Sequence, residues 1–231
     1  TWGRVSLEGV WLLSESLDTI GPMARDVAGC VLGMELLEPG FTVADTAPRV
    51  VGRFRPAGVD PAIDAAVDRV LAEAEVEVVP IELPGWQDAM QASAILIAEA
   101  WANNRDLLDR EGIGDDVRFL LNLGADITEP QLAEARRVQT AWKAQLAGVF
   151  EQVEVIAAPT LKMFPPRIDE PPDLSMADLA VPVNAAGVPS LALPVRSGQR
   201  LPASIQLIGP HNGEEHLLAL GHVVEAAATS L

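Results

Sequence analysis

Three segments within residues 49–83 decide the fold: Arg49-Val-Val-Gly-Arg-Phe54, Pro61-Ala-Ile-Asp-Ala-Ala-Val-Asp-Arg-Val-Leu71 and Val76-Glu-Val-Val-Pro-Ile-Glu-Leu83. The first reads as a short buried strand. The second opens with proline at a first helical position and places Ile63, Val67, Val70 and Leu71 at helical spacing. The third is rich in β-branched residues, and Pro84-Gly85 ends it. A strand, helix and strand joined this tightly predict a parallel βαβ unit.

Working outward, the same reading predicts a helix from Pro22 to about Leu37, capped by Asp18 or Thr19 and closed by Pro39-Gly40. Residues 87–110 read as one long helix, and 112–127 as loop and short helix. Thr128-Glu-Pro-Gln131 has the form of a capping box. The helix after it runs to about Phe150, with Leu132, Ala135, Val138, Trp142, Leu146 and Val149 on one side. Val153–Ala158 reads as a buried strand. Residues 159–178 hold five prolines and read as a long surface loop. Ser190–Pro194 and Ala203–Ile208 read as further strands, and about 213–228 as a last helix. No shift in composition marks a domain boundary.

The 231 residues carry 33 acidic against 16 basic side chains, a net charge of -17. That balance disfavours a phosphate-binding groove, which needs clustered Lys and Arg. The only lysines are Lys143 and Lys162. A single cysteine excludes an internal disulfide. No apolar run approaches the length of a membrane span, and no basic segment precedes an apolar one as in a signal peptide. These features predict a cytoplasmic protein with no membrane contact and no direct nucleic-acid contact.

Local motifs supply no complete catalytic set. Cys30 sits in an apolar helical stretch and reads as an inert buried thiol. His211, His216 and His222 read as a solvated helix end rather than a metal site, since His216 and His222 fall on different helix faces. A Ser–Lys pair is conceivable with Lys143 or Lys162, but neither lies in a motif. No G-x-S-x-G, phosphate loop or G-x-G-x-x-G is present. Thr1 could in principle use its own amine as a base, although nothing downstream supports that.

Five strings carry a resemblance. Gly3-Arg-Val-Ser6 is followed by Ser16-Leu-Asp-Thr-Ile-Gly-Pro-Met-Ala-Arg25; then come Val155-Ile-Ala-Ala-Pro-Thr160, Pro182-Val-Asn-Ala-Ala-Gly-Val-Pro189 and Leu201-Pro-Ala-Ser-Ile-Gln-Leu-Ile-Gly209. With Glu214-Glu-His-Leu-Leu218 opening the last helix, they resemble the amidase signature family in order and spacing. Ser204 stands where that family usually has glycine.

The resemblance implies an α/β fold, a mixed sheet flanked by helices. It also implies hydrolysis of a carboxylic amide to acid and ammonia or amine by a Ser nucleophile, a second Ser and a Lys, with no cofactor. That family places the catalytic stretch ahead of its G-R-V-S string. Residues 1–231 are therefore expected to be the C-terminal part of one larger domain, inactive alone and with no catalytic residue of their own. Two positions are the candidate substrate contacts. Asp178 lies one residue away from the family's acidic position when aligned on Asn184–Gly187, and Ala180 stands where the family often has Thr. Asn184 is either a turn residue or a pocket contact. Asp18 and Arg25 are expected to form a helix cap and a nearby ion pair. The expected partners are a small-molecule amide and further copies of the chain in a homo-oligomer. The alternatives are a non-catalytic amidase-like subunit for binding or assembly, or a tRNA-dependent amidotransferase subunit. An exposed edge strand and apolar patch are expected on the isolated chain, making it prone to self-association.

Overall fold

The computed structural model describes residues 1–169 and 174–230. Its centre is a five-stranded sheet in the order β2-β1-β3-β5-β4. The strands are β1 (Val50–Phe54), β2 (Glu77–Ile81), β3 (Val155–Pro159), β4 (Ser190–Val195) and β5 (Ala203–Ile208). β1 pairs in parallel with β2 on one side and β3 on the other. β5 runs antiparallel to both β3 and β4, which makes the sheet mixed, as expected. The crossover from β1 to β2 is α2 (Pro61–Glu73), so the βαβ unit forms as read. Asp60 caps α2 by accepting from the Ala62 amide at 2.8 Å.

The alternation of side chains along each strand sends residues to two cores. Val51, Val155, Ala157, Ile205 and Leu207 face one side, against α2, α1 (Val27–Leu37) and α7 (Glu214–Ser230). Phe54, Ile156, Ala158 and Ile208 face the other. There they meet α3 (Ser93–Asn104), α5 (Glu129–Val149) and the short α6 (Val181–Ala186). The remaining helix, α4 (Asp115–Ala125), packs on α3. Trp142 of α5 anchors the second core: its ring meets Trp86 edge-on at 5.8 Å, and its Nε1 donates to the Pro182 carbonyl at 2.7 Å.

Three expectations are corrected. The first helix begins at Val27, not Pro22. Its cap is Asp26, whose carboxylate accepts from the Gly29 amide at 2.7 Å, while Glu225 accepts from the Val27 amide at 2.9 Å. Asp18 caps no helix; it binds the amides of Leu13 and Ser14. Arg25 is exposed and pairs with no carboxylate among the described residues. The expected helix over 87–110 is broken: a 3₁₀ turn over Asp88–Ala92 precedes α3, and another over Arg105–Leu107 follows it. The cause is visible in the burial pattern. Trp86, Ala89, Ala92 and Ile95 are buried at intervals of three, the 3₁₀ period rather than the α period. The third is α6, which continues where a turn at Asn184 was expected, with Pro182 in its first turn and left-handed Gly187 closing it. Of the long loop, 170–173 lies outside the described residues; a 3₁₀ turn over Leu174–Ala177 follows.

The expected box at the start of α5 closes through Gln131, whose Oε1 accepts from both the amide and the hydroxyl of Thr128. Thr128→Ala should cost about 1 kcal/mol, the usual loss for a capping residue, read as a lower urea midpoint at unchanged slope.

β2 and β4 are the sheet edges, and each carries a proline, Pro80 and Pro194, which removes a donor from the edge. Large apolar side chains are exposed around the fold, among them Trp11 at 71%, Leu36 at 78% and Phe119 at 60%. No helix among the described residues is long and apolar enough to cross a membrane.

Candidate functional site

Four of the five quoted strings, far apart in sequence, meet around one cavity of about 330 Å³; the Val155–Thr160 string stays outside its lining. Thr1 and Val5 come from the G-R-V-S region, and Thr19, Ile20, Gly21 and Pro22 from the second string. Asn184 and Gly187–Leu191 come from α6 and the start of β4, Gln206 from β5, and Glu214, Leu217 and Leu218 from α7. Cys30 and Met34 of α1, with Ala180 and Val183 around the start of α6, complete the lining.

Arg4 fixes the first string. Its guanidinium reaches Glu38 after α1 at 2.6 Å, Glu214 at 2.6 Å and Glu215 of α7, and lies 5.4 Å from the centre of the Phe41 ring. One side chain thus ties three segments together. Burial alone would push the Glu214 carboxyl up, but its hydrogen bonds, that from Arg4 among them, hold it below the usual carboxylate range.

The second string is held by α3 and α6. Glu99 of α3 accepts from the Ser14 hydroxyl at 2.6 Å, the Ser16 amide at 3.0 Å, the Ser16 hydroxyl at 2.8 Å and Arg136 of α5 at 2.8 Å. Burial pushes this carboxyl up as well; the donors outweigh it and leave it lowered. Asn104 accepts from Trp11 Nε1 at 2.7 Å and donates to the Leu12 carbonyl at 3.2 Å. Asn184 donates to the Leu17 carbonyl at 2.8 Å. The cavity rim at 19–22 therefore follows directly from a segment that is clamped on two sides.

Of the two candidate contacts, Asn184 lines the cavity. Asp178 does not; it pairs with Lys162 at 2.7 Å. That pair straps the end of the proline-rich loop to its beginning, and it was not apparent from spacing. Glu99 was missed too. Its signal was present, a lone acid inside the apolar run Ser93-Ala-Ile-Leu-Ile-Ala98 and Ala100-Trp101.

Among the described residues, the cavity wall holds no assembled nucleophile. Burial raises the Cys30 thiol, which lies 4.0 Å from the Pro22 carbonyl. Ser14 and Ser16 are committed to Glu99, and Thr160 and Ser204 share one hydroxyl–hydroxyl bond at 2.8 Å. Lys162 is engaged by Asp178, and Lys143 lies over the Trp2 ring. Among the described residues no three His, Cys, Asp or Glu side chains gather as metal ligands.

Residues 1–218 match the amidase family. A glutamyl-tRNA(Gln) amidotransferase subunit from Roseiflexus castenholzii is 31% identical over 275 aligned positions, covering 96% of this chain and 56% of its own length. The corresponding protein from Sphingopyxis alaskensis is 29% identical over 99% of this chain and 58% of its own length. Among solved structures, a crystal structure of an amidase superposes with a TM-score of 0.88 at 25% identity, over 98% of this chain and 57% of that one. The fold also matches the glutamyl-tRNA(Gln) amidotransferase subunit from Thermotoga maritima, at TM-score 0.80 and 21% identity, over 97% of this chain and 56% of that one. The chain thus spans a little over half the length of the curated relatives it matches. The five strings, the cavity that four of them share and the match over residues 1–218 give one answer: the chain belongs to the amidase family.

Proposed function

We propose that the protein carrying these residues is a hydrolase of a small-molecule carboxylic amide, and that residues 1–231 build the rear wall of its substrate cavity. The observation that carries this reading is the convergence of four of the five strings on one cavity that, among the described residues, lacks a nucleophile of its own. The Ser, second Ser and Lys belong, in this reading, to the part of the family fold outside the matched span. There the Lys holds the second Ser, which relays the proton of the attacking Ser, while backbone amides stabilise the oxyanion.

Asn184 is the substrate-side residue of this wall. Its amide group is already oriented by the Leu17 carbonyl, leaving its oxygen for a ligand N–H. Asp178, neutralised by Lys162, contributes through the loop it fixes or through exchange of that partner for a substrate amine. In this reading the enzyme acts in the cytoplasm as a homo-oligomer, without direct nucleic-acid contact.

The names of the curated relatives favour a second reading, a subunit of a tRNA-dependent amidotransferase. The alignment to the Roseiflexus protein runs over 275 positions while taking in 96% of 231 residues, so that relative carries extra segments without counterpart here. Ammonia release by the longer polypeptide from a panel of simple aliphatic and aromatic amides tests the first reading. Glutaminase activity that appears only with partner subunits and charged tRNA, and no turnover of simple amides, would replace it with the second.

A further inference from the structure

On the other side of the Gly187–Val188 segment lies a second hollow of about 490 Å³. Its walls are Trp2, Leu146 and Phe150 with Val188, and Lys143 and His211 stand at its edge. Its volume is in the range of small-ligand sites. Three features set it apart. First, it includes no Asp or Glu, in a chain with 33 of them. Second, Lys143 makes no ion pair with any described carboxylate, whereas the other lysine is paired. Its Nζ instead lies 5.9 Å from the centre of the Trp2 ring. Third, the indole is fixed in place: the Trp2 amide donates to the Gly187 carbonyl at 3.0 Å, and Trp2 Nε1 to the Glu15 carbonyl at 3.4 Å.

We infer that this hollow is a second small-molecule site, and that it takes a flat apolar monocarboxylate. An ammonium over an indole keeps its donors available, because the ring face attracts the charge without accepting all three hydrogens. A carboxylate can therefore reach Lys143 while its apolar body occupies the space between Trp2 and Phe150. Burying a planar ring there removes apolar surface from water without displacing a protein ion pair. The charge balance limits the ligand further. With one lysine and one histidine at the rim and a net charge of -17 on the chain, a monoanion is accommodated and a polyanion is repelled. The inference stands on the hollow alone and does not depend on the amide-hydrolase reading.

The test is titration of ¹⁵N-labelled protein with benzoate, followed by NMR, with the Trp2 indole signal assigned through Trp2→Phe. Saturable shifts of the Trp2 indole and the Gly187 amide are expected. Lys143→Ala should weaken binding about tenfold and Lys143→Arg should largely retain it, because a cation remains at the rim. Benzyl alcohol, with the same ring and no charge, should bind about tenfold more weakly than benzoate. The unaffected remainder of each spectrum verifies that the variants are folded. Absence of a saturable shift, equal binding by Lys143→Ala, or equal binding of benzyl alcohol would overturn the assignment.

Discussion

Removing both Asp64 and Asp68 is expected to destabilise the fold far more than removing the arginine between them. Arg53 projects from β1, the centre of the parallel part of the sheet, and is only 2% exposed. It donates to Asp64 at 2.6 Å, to Asp68 at 2.9 Å and to the Phe54 carbonyl. Burial pushes the Asp68 carboxyl up, but Arg53 and Arg55 bring it below the usual range. Asp64→Ala with Asp68→Ala leaves a buried guanidinium uncompensated, a change that costs about 3–5 kcal/mol. Arg53→Met leaves two carboxylates that can rehydrate, since they are 26% and 41% exposed, and should cost only about 1–2 kcal/mol. Urea unfolding of both variants decides the order; a larger loss from Arg53→Met would show that the arginine stem, not its charge, matters at this position.

The second large effect is expected at Glu99. Ser14 is fully buried, and its hydroxyl has Glu99 as partner; the Ser16 amide shares it. Glu99→Ala leaves at least two donors without a partner, at about 1–3 kcal/mol each, so a loss of roughly 3 kcal/mol is expected. Glu99→Gln keeps the shape and one acceptor and should lose about half as much. Acid should act like the substitution. A carboxyl lowered by folding stabilises fully above its unfolded value of about 4.3, and that contribution fades as pH falls through the lower folded value. The wild type should therefore lose more stability than Glu99→Ala between about pH 5 and pH 3. Parallel pH curves for the two proteins would refute a charged role for this side chain.

What could be read from the sequence follows a physical rule. Elements that bury one face by their own periodicity were legible: α2, the α5 face with Ala135, Val138, Trp142 and Leu146, and β5 to the residue. The reading slipped where a distant partner sets the local structure. Asp18 resembles a cap in sequence, but its two amide donors precede it and Asp26 does the capping. The break after Ala92 depends on what Trp86 and Ala89 pack against, which no local propensity encodes. The site divided in the same way. Motif strings identified which segments matter, and Asn184 proved to line the cavity. Glu99, Arg53 and the Lys162–Asp178 pair act through contacts between residues distant in sequence, so spacing alone could not pair them.

The most direct measurement of the central claim is amide hydrolysis by the 231-residue chain alone, beside the longer polypeptide that carries it, with ammonia release as readout. Residues 1–231 should bind in the cavity and turn nothing over, while the longer polypeptide hydrolyses the same amide. Turnover by the 231 residues alone, at a rate near that of the longer polypeptide, would contradict the assignment of this half as cavity wall rather than catalytic engine.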